Sequence, residues 1–329
     1  MSVTLKDVAK ETGFSANTVS RALRGSNEIS EATTAYIREV AKKMGYIHNG
    51  VAASLRAGKS NSIAVIVGSV FNSHFAVMIK GIEEMAAENG YVVIVMNTNE
   101  DTETEQKAIK TAISKKVDGI IICPASNPEE NLRLLQSSGI PFVLLGRRVK
   151  GIDTSYVICD DYGGCKLATE YLINKGNKNI LFLLIEQEVS SVEERLNGFK
   201  DALADAGMSY SDDLLIQKKL GAPLDEDLEQ NRDKILGADA VLCFSDMLAH
   251  ELIYWLRCNG VAVPGKIDII GFDDIQSRIP MPIRVKSVKS FKALMSHTAY
   301  QLLAEKINDP DAPNKQIVIS TEISKGETA

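Results

Sequence analysis

From residue 62 onward, short runs of consecutive aliphatic and β-branched residues alternate with longer amphipathic stretches, and this alternation constrains the fold more than any other feature. It predicts strands over 63–67, 91–96, 119–123, 142–145 and 156–159, separated by helices over 75–89, 104–115 and 128–137. After a helix over 162–175 the pattern restarts, with strands over 180–184, 214–216, 240–244 and 267–272. Helices over 192–206, 224–236 and 247–259 lie among them. Runs that are apolar on both faces belong to parallel sheets covered by helices on both sides, so two doubly wound α/β lobes follow. At 329 residues the chain is too long for one ordinary domain.

The first sixty residues have a different character. Thr4 can cap a short helix that Gly13 closes, with Asp7 near its positive end and Leu5, Val8 and Ala9 on one face. Ser15 caps a second helix over 16–23, with Val19, Ala22 and Leu23 inward and Ala16, Asn17, Ser20 and Arg21 outward. Two short helices joined by a glycine-containing turn make a helix-turn-helix unit whose outer face fits the DNA major groove. Asn17 can pair with an adenine edge, Arg21 with guanine or phosphate, and Ala16 can touch a thymine methyl. Any small bundle also shows two amphipathic helices with such a turn. A third helix over 31–44 starts at Ser30 and ends at Gly45, with Tyr36, Ile37, Val40, Ala41 and Met44 as its apolar stripe.

Charge is divided between these parts. The chain carries a net −6, which taken whole argues against nucleic-acid binding. Residues 1–60 hold nine basic and five acidic residues, a net of +4, so the remainder carries −10. A basic head on an acidic body is expected where only the head meets phosphate; chance segregation of a few charges gives the same count. Five cysteines without CxxC spacing read as reduced thiols, and four scattered histidines make no ligand pair, so no metal or cofactor is expected. No apolar run is long enough to span a membrane, and the charged first helix is no signal segment, which predicts a cytoplasmic protein.

The chain resembles the lactose-repressor/purine-repressor (LacI-type) transcription regulators. The matching residues are Thr4-Leu5-Lys6-Asp7-Val8-Ala9, Ser15-x-x-Thr18-Val19-Ser20-Arg21-Ala22-Leu23 and Gly45-Tyr46-Ile47-x-Asn49-x-x-Ala52-x-x-Leu55. The resemblance runs to about residue 323. It implies a helix-turn-helix head (1–47), a hinge helix and linker (48–61), and a two-lobed, periplasmic-binding-protein-like effector and dimerisation core (62–329). The chain would cross between lobes near 161, 289 and 321. Lobe one would then hold about 62–161 and 290–320, and lobe two 162–289 and 321–329. The matching DNA-contact positions are Thr4, Ser15, Ala16, Asn17, Thr18, Ser20, Arg21, Asn49, Ala52 and Leu55. Leu55 would be a minor-groove wedge, on a hinge helix that folds on operator DNA. A plain linker with Leu55 resting on the body is the alternative. Where relatives often have proline, this chain has His48.

Open α/β sheets bind ligands in the crevice at the carboxyl ends of their strands. Four such loops stand out: 70–75, 145–148, 194–199 and 271–274. The Arg195-x-x-Gly198-Phe199 run resembles the family signature, and the resemblance assigns Arg195 and Asp273 to effector hydroxyls or anionic groups. A guanidinium and a carboxylate suit neighbouring hydroxyls of a polyol; pairing with each other, or helix capping, is the alternative for both. Asn72, Ser73, Phe75, Arg147, Leu220 and Ser245 complete the candidate effector site. Leu220 stands where relatives often place an aromatic ring, which removes one stacking surface. Ser245-Asp246 stands where they commonly have Asn-Asp. Trp255 shares a helix stripe with Leu252 and Leu256 and reads as core or dimer interface.

These features describe a sequence-specific repressor, a homodimer on a pseudopalindromic operator, controlled by a small molecule such as a sugar or sugar derivative. A dimer rather than a tetramer is expected, since no heptad tail follows Ile323. A cytoplasmic solute-binding protein or a sugar-acting enzyme on the same scaffold is the alternative. The enzyme reading finds no GxGxxG, GxxxxGK[ST] or GxSxG, and the adjacent acids Asp160-Asp161 and Asp273-Asp274 diverge too much for a catalytic dyad. Arg21→Ala is expected to weaken operator binding by about 1–3 kcal/mol if the side chain reads a base. An equal loss on unrelated sequences, measured by gel shift, would reduce its role to phosphate contact.

Overall fold

The computed structural model describes residues 3–46, 59–219 and 223–329. They fall into two separately compact units divided at residue 60. The expected hinge positions Asn49, Ala52 and Leu55, and Leu220 in the body, lie outside the described residues.

The first unit is a three-helix head: α1 (Leu5–Thr12), α2 (Ala16–Leu23) and α3 (Glu31–Lys43). Local chemistry fixes each end. Thr4 and Asp7 form a reciprocal capping box, with the Thr4 N–H donating to Asp7 Oδ2 at 2.8 Å. The Thr4 hydroxyl and N–H also hold the Asp7 carboxyl below its usual range. Gly13 ends α1 at φ +74°, a left-handed conformation that favours glycine. Ser15 Oγ accepts from Thr18 N at 3.1 Å to start α2, and Ser30 does the same for α3. Val8, Val19, Ala22, Ile37 and Ala41 form the core, one or two from each helix. Tyr36, expected in the apolar stripe, is 48% exposed. It precedes Ile37 by one residue, about 100° around the helix, and so faces away from the core.

The second unit has two lobes. In lobe one the chain runs β1 (Ser62–Val67), α4 (Ser73–Glu88), β2 (Val92–Asn97), α5 (Thr102–Ser114), β3 (Gly119–Ile122), α6 (Glu129–Ser138), β4 (Phe142–Leu145) and β5 (Ser155–Cys159). Lobe two begins with α7 (Asp161–Asn174), β6 (Ile180–Ile185), α8 (Ser190–Asp205), β7 (Leu215–Lys218), α9 (Leu224–Gln230) and α10 (Arg232–Leu236). It continues through β8 (Ala240–Cys243), α11 (Asp246–Cys258), β9 (Asp268–Asp273) and β10 (Lys286–Lys289). The chain returns to lobe one for α12 (Lys292–Asn308) and β11 (Gln316–Ile319), then crosses again for β12 (Glu322–Ile323).

The first sheet has the order β2-β1-β3-β4-β5-β11 and is parallel throughout. The second has the order β7-β6-β8-β9-β10-β12, parallel except for β12 against β10. The central strands β3, β8 and β9 are buried along their whole length, as continuous apolar runs require. The expected single helix over 224–236 is broken at Asn231, whose side-chain amide donates to the Asp227 carbonyl at 2.8 Å. That local bond competes with helix continuation. Strands β10, β11 and β12 were not expected from patterning, because they are only two to four residues long and carry Lys, Ser, Gln or Glu. Trp255 is buried, its indole N–H donating to Glu229 Oε1 at 2.8 Å, which fits the core reading. All five cysteines are free thiols. Among the described residues no helix is long and apolar enough to cross a membrane.

Helices α7 and α8 pack face to face, and Gly198 is where they meet. A Cβ there would lie 2.3 Å from the Tyr162 carbonyl oxygen and 3.0 Å from Lys166 N. Gly198→Ala gains about 1 kcal/mol in helix propensity, but the clash is with backbone that cannot swing aside and costs about 1–3 kcal/mol. The expected net result is a lower midpoint in urea unfolding. A raised midpoint would show that the helices separate at no cost.

Candidate functional site

On the head, Ser15, Ala16 and Asn17 are exposed, and Thr18 is half-buried. Ser15 and Thr18 also share a hydroxyl–hydroxyl bond of 2.9 Å. The Thr4 hydroxyl donates to Asp7 Oδ2 at 2.7 Å, so it serves the cap. Arg21 is exposed and paired with Glu28. Ser20, expected on the outer face, is only 7% exposed. Helix α2 packs against both α1 and α3, so its covered arc is wider than the Val19–Ala22–Leu23 stripe and takes in Ser20.

In the body, the carboxyl ends of the central strands of both sheets face a shared cavity of about 340 Å³. Lobe one contributes Asn72, His74, Phe75, Glu100 and Arg147, and lobe two Gln187, Arg195, Phe244, Ser245 and Asp273. Six of the expected effector residues therefore come together: Asn72, Phe75, Arg147, Arg195, Ser245 and Asp273. Asn72 and Ser245 also cap helices: Asn72 Oδ1 accepts from His74 N at 2.9 Å, and Ser245 Oγ from Leu248 N at 3.4 Å. Ser73 does not line the cavity. It opens α4, and its hydroxyl is buried with no hydrogen-bond partner among the described residues.

Charge in this cleft is held in pairs. Arg195 Nε donates to Asp161 Oδ1 at 2.7 Å, and Nη1 donates to the Phe244 carbonyl. Its guanidinium carbon lies 3.5 Å from the Phe272 ring centre and 4.3 Å from that of Phe244. This stacked, desolvated cation is the type of site that suits arginine. Burial raises the Asp161 carboxyl, and Arg195 opposes that rise. Arg147 grips Glu100 with two bonds of 2.7 and 3.1 Å and donates to the Pro124 carbonyl at 2.7 Å.

Asp273 meets His74 Nδ1 at 2.9 Å and lies 3.6 Å from Lys292 Nζ. Burial alone would raise its carboxyl, but His74, Lys292 and Arg195 together hold it well below the usual range. Arg195 and Asp273 thus line the cleft together, yet each is bonded to a different partner. Exposed pairs also bridge the lobe rims: Arg148 Nε to Glu194 at 2.8 Å, Lys150 to Glu193 at 3.0 Å, and Asn127 to Glu188 at 3.2 Å.

His74, Glu100, Asp161, Gln187 and Lys292 were not picked out as effector-site residues by sequence reasoning. His74 lay inside the 70–75 loop, and Asp161 comes two residues after the end of β5. Nothing local in the sequence links Asp161 to an arginine thirty-four residues on.

A compact head that offers polar side chains from its second helix, and a two-sheet body with a ligand-sized cleft at the strand ends, together describe a DNA-binding transcription regulator with its own effector receptor. The family model "Bacterial regulatory proteins, lacI family" matches residues 4–49. "Periplasmic binding proteins and sugar binding domain of LacI family" matches residues 60–317. The chain belongs to the LacI family of bacterial transcription repressors.

It is 31% identical over 276 residues to the HTH-type transcriptional regulator GalR of Escherichia coli (strain K12), covering 83% of this chain and 80% of that one. It is 27% identical over 327 residues to the HTH-type transcriptional repressor PurR of Aliivibrio fischeri (strain MJ11), covering 97% and 96%. Among solved structures, the transcriptional regulator CelR–cellobiose complex aligns with a TM-score of 0.72 at 25% identity, covering 99% of this chain and all of that one. The Lac repressor dimer bound to operator and the anti-inducer ONPF shares the fold, with a TM-score of 0.84 at 20% identity, covering 100% and 99%.

Asp246 gives folding stability a pH dependence. Its carboxyl accepts from Ser287 Oγ at 2.6 Å and from Ile275 N at 2.8 Å, clamping a turn in which Asp273 and Asp274 both have positive φ. Burial pushes its pKa up to about 8. The folded state then keeps a proton that the unfolded chain releases near pH 4, so this contribution to stability falls as pH rises from about 4 to about 8. Asp246→Asn keeps the shape and removes the titration. Relative to the variant, the wild type is expected to lose at least about 1 kcal/mol between pH 5 and pH 9 in urea unfolding. Parallel pH profiles would remove Asp246 as the source.

Proposed function

We propose that this regulator is a cytoplasmic homodimeric repressor that reads a pseudopalindromic operator through the exposed front of α2. Ala16, Asn17 and Arg21 would lie at base edges, Ser15 and Thr18 at phosphate, and the hinge positions Asn49, Ala52 and Leu55 in the central minor groove. The effector is a sugar or sugar derivative held between the lobes. The observation that carries this reading is the cleft itself. One small cavity takes polar side chains from both lobes, so a ligand that touches both walls binds one lobe arrangement better than another. That difference in affinity is what shifts a conformational equilibrium, and by linkage the affinity for DNA.

Exposed Val92 and Val95 on edge strand β2 support a partner surface. CelR, solved with cellobiose, supports a sugar. In the free head Glu28 competes for Arg21, so DNA must draw the guanidinium away from it.

Gel shifts on an operator selected from random sequence test the reading, comparing the full chain with residues 61–329. Operator binding is expected only from the full chain, and sugar binding from both. In the full chain, Asp273→Asn is expected to cut the effector response by about tenfold or more while ligand-free operator affinity holds. An unchanged response would remove Asp273 from the effector site.

A further inference from the structure

The cavity between the lobes does not end the cleft. A second compartment of about 380 Å³ adjoins it, bounded by the loops after β3 and β4 on one side and by residues 187–193 on the other. The two compartments share two wall residues, Arg147 and Gln187. Each volume is at the small end of ligand pockets.

Two further observations bear on what fits there. First, the arginines that line the two compartments are already paired with carboxylates. Arg147 holds Glu100 in the inner compartment and Arg195 holds Asp161 beside it, both pairs buried, and the exposed Arg148 on the outer wall holds Glu194. Lys218, also on the inner wall, donates to the Lys219 carbonyl at 3.0 Å. A phosphate or carboxylate gripped by Arg147 or Arg195 would have to break that pair and strand a charge in a desolvated site. Secondly, Gln187 Nε2 is buried at the junction and is an amide donor with no partner among the described residues. Pro124, Val149 and Val189 give the outer compartment apolar surface suited to the C–H face of a ring.

Resting on the sugar reading above, we propose that the effector is an uncharged saccharide of two units. One ring lies in each compartment, and the Gln187 amide donates to an oxygen at the join. A two-ring ligand that fills both compartments touches both the inner pairs and the outer rim, where the loops of the two lobes face each other.

Isothermal titration of the full chain with neutral hexose disaccharides of both linkage types tests this, alongside their component hexoses, hexose 6-phosphates and nucleosides. At least one disaccharide is expected to bind at least about tenfold more tightly than either of its hexoses, and tighter than any phosphate or nucleoside. Val189→Trp fills the outer compartment and should erase that advantage, bringing disaccharide and hexose to one affinity. Gln187→Leu, which keeps the volume and removes the donor, should reduce it. The proposal is overturned if a hexose binds as tightly as every disaccharide, if a phosphate or nucleoside binds best, or if both variants keep the full disaccharide advantage. Should no saccharide of either size bind, the sugar reading fails, and this one with it.

Discussion

Two buried charge clusters stand where the carboxyl ends of the two sheets meet, and the geometry of the cleft depends on them. One is Arg195 with Asp161, inside lobe two. The other is Asp273 with His74 and Lys292, which joins the lobes. A charge taken out of water costs several kcal/mol unless a partner offsets it, and removing one partner leaves that cost exposed. Each partner must therefore be delivered to the same few ångströms by a separate piece of chain. Asp161 arrives as the first residue of α7, just after the first crossing. Lys292 opens α12 just after the second, and His74 lies in the first turn of α4.

This delivery follows from doubly wound sheets. In a parallel sheet all the loops after the strands emerge on one side, so two such sheets turned face to face present every one of those loops to the gap between them. Three crossings tie the lobes together near residues 160, 290 and 320. The ion pairs on the rim are partly exposed and contribute little. The fit between lobes is set further in, by the Asp273 cluster. A ligand that rearranges this cluster acts where the lobes are most tightly coupled. In the head the analogous restraint is weaker: Arg21 is exposed and its pairing with Glu28 is open to water.

Much of this was legible in the sequence, for identifiable reasons. The caps at Thr4, Ser15 and Ser30 and the stop at Gly13 use short-range chemistry, so they can be read from a few neighbouring letters. The long apolar strands were found because burial on both faces leaves an unbroken signal. The misreadings have equally local causes. Tyr36 was placed inward because it is apolar, although it sits off the buried arc. Ser20 was placed outward because it is polar, although a helix wedged between two others covers more of its surface than a hydrophobic stripe marks. The break at Asn231 depends on one side-chain bond to Asp227, and β10 to β12 are too short to leave a pattern.

The sequence alone determined the class of the fold and the separate basic head, and its family motifs, through the resemblance they carry, pointed to Arg195 and Asp273 as cleft residues. These rest on periodicity, composition and motif, all of which act over short stretches of chain. Only the tertiary structure decided which partners those residues have, that Ser73 lies off the cavity wall, and that Gln187 stands between two compartments. Pairings such as His74 with Asp273 join residues about two hundred positions apart. A contact of that kind is set by how the sheets are wound and how the chain crosses between lobes, and no local run of residues carries it.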